Sequence, residues 1–192
     1  MPIITVFGGN AVEINEAGYQ EALELGRLLA RAGFTVATGG YGGTMEAASR
    51  GARESGGHVI GVTTSLFNSR RGGPNRWIGE EITFPTLFQR LYHLVTFADG
   101  LVALRGGVGT LSEVALSWSL MQVGEMPRKP FVLVGTGWQR IMETYRREST
   151  VKERDFGLLA FAPTVHQVVP LLAGLVSGQH APGGAPQIVD AP

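Results

Sequence analysis

Residues 104–114, LRGGVGTLSEV, gather Gly106, Gly107, Gly109, Thr110 and Glu113 into one short stretch. An apolar run, GLVAL (100–104), leads into it and a helical pattern follows. A helix start presents backbone N–H groups without intrahelical acceptors, and the helix dipole adds partial positive charge there. Glycines let a ligand approach that backbone closely. The chemistry implied is anion binding: a phosphate cradle over Gly106, Gly107, Val108, Gly109 and Thr110, with the Thr110 hydroxyl as a further donor.

The same string, G-G-x-G-[GT]-x-x-E, occurs earlier as GGYGGTME (39–46), again between an apolar run and a helical pattern. That adds Gly39, Gly40, Gly42 and Gly43 to the candidate binding residues. VFGGN (6–10) adds Gly8 and Gly9. Neither the dinucleotide fingerprint G-x-G-x-x-G nor the G-K-[ST] of a P-loop is present, so the expected ligand is a single nucleotide-like phosphate.

Glu113 has two readings. Thr110-Leu-Ser-Glu113 is a capping box, which alone accounts for the residue. Equally, a carboxylate beside a bound phosphate is electrostatically costly unless it holds a sugar hydroxyl or positions water. Glu46 has the same two readings, with the structural one favoured. Arg90 stands among Leu87, Leu91, Leu94 and Val95, so it needs a carboxylate partner or a ligand. Arg105 is either a phosphate contact or a solvated rim charge. His93 is read as a surface or hydrogen-bonded residue, and Trp77, Trp118 and Trp138 as packing residues.

The elements that must position these residues alternate along the chain. Strands are expected at 3–7, 34–38, 58–62, 101–104, 130–135 and 157–161. Helices are expected at 16–33 (stopped by Gly33), 44–57, 85–100, 110–123, 137–148 and 164–178, the last kinked or restarted at Pro170. Residues 63–79 have turn composition and are expected to be a long loop. Short, wholly apolar strands alternating with helices imply an α/β fold with a mainly parallel sheet flanked by helices. Each glycine-rich joint then lies at a strand's carboxyl end, where such sheets bind ligands. The expected organisation is one nucleotide-binding domain over 1–178 and a flexible Gly/Pro-rich tail over 179–192.

Composition narrows the function classes. The chain has 192 residues, a formal net charge of +0 and no cysteine. That argues against nucleic-acid binding driven by bulk charge, and against disulfides, thiolate zinc sites or a cysteine nucleophile. The four histidines lack ligand spacing, so no metal is expected. No apolar run reaches the roughly 18 residues of a membrane span, and MPIITVFGG lacks the charged start of a signal peptide. A soluble cytoplasmic protein, with neither membrane nor nucleic acid as partner, is the expectation.

At these residues the chain resembles the LOG (LONELY GUY) family, once labelled "possible lysine decarboxylase". The family hallmark P-G-G-x-G-T-x-x-E corresponds to Arg105-Gly106-Gly107-Val108-Gly109-Thr110-Leu111-Ser112-Glu113. VFGG, ATGGYGGTMEAASRGA and GGHVIGV match its first turn, second turn and third strand, so the resemblance spans roughly residues 3 to 135. It implies a Rossmann-like doubly wound fold, a homodimer, no cofactor, and a phosphoribohydrolase that cleaves the N-glycosidic bond of a nucleoside 5′-monophosphate of AMP or cytokinin type. It also implies Arg90 and Glu113 as the catalytic pair, a phosphate loop over Gly107 to Thr110, and Ser119 at the place of a family threonine. The motif proline is here Arg105, and the family's Met-His-x-Arg-Lys reads Leu87-Phe88-Gln89-Arg90-Leu91. Relatives of the fold include a molybdenum-cofactor carrier, so a non-catalytic nucleotide- or cofactor-binding protein is the second reading. The decarboxylase label fits poorly: that chemistry needs a lysine bound to pyridoxal phosphate, and Lys129 and Lys152 both lie away from the glycine edge.

Overall fold

In the central strands successive side chains serve two different cores. Leu101 and Ala103 face one, and Val102 and Leu104 the other. Phe131 and Leu133 likewise alternate with Val132 and Val134. Such segments cannot show a polar face, so they read as continuous apolar runs and are covered by helices on both sides. The computed structural model describes residues 1–176. The tail expected at 179–192, and the end of the helix expected to reach 178, lie outside the described residues.

Seven strands form one sheet: β1 (Ile3–Phe7), β2 (Thr35–Thr38), β3 (Val59–Thr64), β4 (Glu80–Phe84), β5 (Gly100–Ala103), β6 (Phe131–Val134) and β7 (Ala160–Ala162). Their order is β4-β3-β2-β1-β5-β6-β7, and every neighbouring pair is parallel. This is an α/β, Rossmann-like sheet, as the alternation of elements implies. The chain first builds outward from β1 to β4. It then returns along α4 (Leu87–Thr96) to place β5 on the other side of β1. The switch point therefore lies between β1 and β5, and the crevice there is where open parallel sheets bind ligands.

One core lies under α1 (Ala17–Arg31), α2 (Thr44–Glu54) and α8 (Val168–Val176). α1 ends as its sequence requires. Gly33, at φ 84°, donates to the carbonyl of Ala30 (3.0 Å), and Phe34 donates to that of Leu29 (3.1 Å). This is a Schellman motif, which needs a left-handed residue. Where α1 crosses α2 the backbones touch: a Cβ on Gly26 would meet the carbonyl of Ala48, and one on Gly51 that of Leu23. The second core lies under α4, α5 (Val108–Val123) and α6 (Thr136–Glu148). Trp138 is buried there and its indole N–H donates to the carbonyl of Leu104 at 3.1 Å.

Three departures from the sequence reading have local causes. The stretch expected as a loop at 63–79 contains the end of β3 and a helix, α3 (Ser65–Arg71), capped by Thr64 and stopped by Gly72 in the left-handed conformation. β4 was not expected. It is an edge strand, paired on one side only, and its exposed Glu80 and Glu81 break the apolar run that marks inner strands. A short helix, α7 (Glu153–Phe156), precedes β7, which begins at Ala160. Pro170 falls at the third position of α8, after a 3₁₀ turn at Val165–Gln167, so the chain restarts there and Pro170 causes no internal break.

Candidate functional site

The carboxyl ends of β1 and β5 are joined directly. The amide of Leu104 donates to the carbonyl of Phe7 (2.9 Å), and the amide of Gly9 to that of Arg105 (3.1 Å). The β2 turn closes on the same point, where Thr44 donates to Gly9 (2.9 Å). Gly43 stands at φ 65°, and a Cβ there would meet the carbonyls of Gly9 and Asn10. Above these joints opens a cleft of about 700 Å³. That volume suits a small organic ligand. The cleft is lined by Gly8 and Gly9, by Gly106, Gly107, Gly109 and Thr110, and by Arg90 and Glu113.

The glycine-rich turn expected to be a cradle lies at the cleft, and its helix starts earlier than the sequence implied. α5 begins at Val108, not Thr110, and its N-cap is Gly107, which has no side chain to satisfy the first amides. A Cβ on Gly106 would strike the Thr110 side chain, whereas Gly107 and Gly109 have open space where a Cβ would stand. Unclaimed helix-terminal amides therefore face room for an anion.

This phase shift removes the capping-box reading of Glu113. With Thr110 already inside the helix, no capping box forms. Glu113 sits three and four residues after Thr110 and Gly109, on the same helix face and about one 5.4 Å turn from the cradle. The earlier copy behaves differently. α2 starts only at Thr44, so Glu46 lies in its first turn, where a carboxylate suits the dipole, and it does not line the cleft.

Glu113 is half-buried by exposure, but the cleft walls dehydrate its carboxyl. That raises its pKa from 4.5 to about 7, against an opposing effect of the Arg90 charge. Arg90, on α4, is 6% exposed. Its Nε donates to the carbonyl of Val62 (2.7 Å) and one terminal nitrogen to that of Gly39 (3.1 Å). Its guanidinium lies 5.7 Å from the centre of the Tyr41 ring. The cleft thus holds a dehydrated carboxyl, a fixed cation and the open start of α5.

The other expected residues are placed as follows. Gly39, Gly40, Gly42 and Gly43 support the cleft more than they line it: Gly39 holds Arg90, and the carbonyls of Gly40 and Tyr41 accept from the Asn75 side chain (3.1 and 2.9 Å). Ser119 is exposed and lies in a separate groove of about 570 Å³ with Trp118, Ile141 and Tyr145, so the structure does not bring it to the cradle. Arg105 is exposed at the cleft rim. Lys129 is spent on the carbonyls of Val95, Thr96 and Ala98 at the end of α4, and burial pushes its pKa down to about 8. The His93 ring Nε2 has no hydrogen-bond partner among the described residues. The ring is packed between Phe84 and Phe97, with ring centres 4.9 and 4.5 Å away, and burial lowers its pKa.

Sequence reasoning did not single out Tyr41, Phe67 or Glu21, which also line the cleft. The Tyr41 and Phe67 rings meet edge to face at 5.7 Å, and the Tyr41 hydroxyl donates to the Asn68 side chain (2.9 Å) while accepting from the Thr64 amide (2.9 Å). Tyr41 stands inside the glycine string, but nothing local marks it as a wall residue.

Residues 1–153 match the model of the SLOG cluster4 family. An uncharacterized protein of Archaeoglobus fulgidus is 30% identical over 70% of this chain and 84% of its own length. The cytokinin riboside 5′-monophosphate phosphoribohydrolase LOG of Oryza sativa subsp. japonica is 33% identical over 65% of this chain, and the match spans about half, 52%, of the rice protein. Among solved structures, the molybdenum cofactor carrier protein of Chlamydomonas reinhardtii superposes with a TM-score of 0.71 at 28% identity, covering 92% of this chain and 98% of that one.

Proposed function

From the premise that this chain belongs to the SLOG cluster4 family, we propose that it hydrolyses the N-glycosidic bond of a nucleoside 5′-monophosphate of AMP or cytokinin type, releasing free base and ribose 5-phosphate. The observation that carries this reading is Glu113, a dehydrated carboxyl one helical turn from an open anion cradle and within the field of Arg90.

The 5′-phosphate binds the first amides of α5, with Arg105 at the rim. Holding that remote group fixes the ribose against the carboxylate. The C1′–N bond breaks with its electron pair remaining on the base, which leaves an oxocarbenium-like centre at C1′. Ionised Glu113 stabilises that charge and orients water. Water adds its oxygen to C1′, and its proton ends on the departing base. Arg90 favours the ionised carboxylate, while its bonds to Val62 and Gly39 hold it in place. The protein acts in the cytoplasm as a homodimer. Leu87, Phe88 and Tyr92 of α4 and Val108 and Leu111 of α5 are exposed apolar side chains for a partner copy to cover. Light scattering at micromolar concentration tests the dimer.

The test of the reaction is incubation with AMP. Wild type releases adenine and ribose 5-phosphate in equal amounts, and Glu113→Gln folds but is inert. A second reading, a nucleotide- or cofactor-binding carrier without turnover, is supported by the similarity to the algal molybdenum cofactor carrier over nearly the whole described chain. It requires that a nucleotide raise the melting temperature of wild type while no monophosphate is hydrolysed.

A further inference from the structure

The cleft extends past the cradle to a wall formed by Asn10, Val12, Glu16, Gly18 and Glu21. Glu21 lies on the second turn of α1 and is half-buried. Other carboxylates of the α1–α2 surface have arginine partners: Glu24 pairs with Arg27 (3.7 Å), and Glu54 with Arg27 and Arg50 (2.9 and 2.7 Å). Among the described residues no hydrogen bond or ion pair reaches the Glu21 carboxyl. Burial raises its pKa, with no neighbouring charge offsetting it. An acceptor on the wall of a ligand cleft that no protein group engages is open to a donor from the ligand. The charge layout also fixes the ligand's direction. A phosphate is favoured at the α5 amides, Arg90 and Arg105, and is repelled at Glu16 and Glu21.

We infer that Glu21 accepts a hydrogen bond from an N–H or O–H donor on the non-phosphate part of the ligand, a sugar hydroxyl or a base amino group. The assignment rests on the reading of this cleft as a nucleoside monophosphate site. It makes Glu21 a residue that selects for what the phosphate carries, distinct from Arg90 and Glu113.

The test is calorimetric titration of the full chain with inorganic phosphate, ribose 5-phosphate and AMP. A Glu113→Gln background keeps AMP intact, and Glu21 is compared with Glu21→Leu and Glu21→Gln. Leucine keeps a helix-forming side chain on that half-buried face. An unchanged melting temperature shows that the fold is retained. With Glu21→Leu, binding of AMP weakens about tenfold, the scale of one lost hydrogen bond to a charged acceptor. Ribose 5-phosphate weakens equally if the donor is a sugar hydroxyl, and stays unchanged if it is a base amino group. Glu21→Gln, which keeps an acceptor oxygen, loses less. Inorganic phosphate binds within twofold in all cases. Equal affinities for every ligand, or an equal loss that includes phosphate, overturn the assignment of Glu21. If none of the three compounds binds the Glu21-containing protein, the reading of the cleft itself fails, and this assignment with it.

Discussion

Replacing Glu113 by glutamine is expected to stabilise the protein, and to do so only at neutral and alkaline pH. The carboxyl ordinarily titrates at 4.5 and in the folded cleft at about 7. Between those values the folded chain holds a proton that the unfolded chain has released. Wild-type stability therefore falls as pH rises from 4.5 to 7 and levels off above. The gap between 4.5 and about 7 corresponds to roughly 3 kcal/mol at about 1.4 kcal/mol per pH unit. The open side of the cleft screens part of this, so about 2 kcal/mol is the working figure. Glutamine has the same shape and does not titrate. The melting temperatures of the two proteins should nearly coincide at pH 4.5 and separate by about 4–8 °C at pH 8. Calorimetry or far-ultraviolet dichroism over that pH range reads the separation directly. Every other titrating group cancels in the difference. An offset that stays constant with pH, or a wild type more stable than the variant at pH 8, refutes the claim that Glu113 is held dehydrated.

The remaining predictions concern activity and the cradle. On the proposed role of ionised Glu113, hydrolysis of AMP, followed as kcat/KM from pH 5 to 9, should rise to a plateau with a midpoint near 7; a flat or falling profile contradicts that role. Gly106→Ala forces a methyl into Thr110 and should cost roughly 1–3 kcal/mol in urea denaturation. Gly109→Ala meets no atom within 4 Å and lies inside α5, so it should fold as well as wild type yet bind inorganic phosphate more weakly by calorimetry. Arg90→Met leaves the buried carbonyls of Val62 and Gly39 short of donors and should destabilise by roughly 2–4 kcal/mol in the same assay.

What the sequence could disclose depended on how local the cause was. The parallel sheet follows from apolar runs alternating with helical patterns, and the place of the glycine-rich turns at the cleft from glycines at strand ends. Both are visible in windows of ten or so residues. β4 was hidden because an edge strand buries only one flank and carries Glu80 and Glu81, so its pattern resembles a loop. The capping-box reading of Glu113 depended on where α5 starts. A two-residue advance moved the carboxylate from the helix end into the cleft. That Arg90 is buried could be anticipated from its apolar neighbours. That it is satisfied by carbonyls 28 and 51 residues away could not. Tyr41, Phe67 and Glu21 line one cleft only because the segments that follow β2, β3 and β1 return to the same edge of the sheet, and no spacing along the chain encodes that.

The central claim is tested most directly by a crystal structure of the Glu113→Gln protein soaked with AMP. The account predicts the phosphate on the backbone amides of residues 107–110, with the ribose against the side chain at position 113 and Arg90 alongside. A phosphate bound elsewhere, or a side chain at 113 turned away from the sugar, would contradict it.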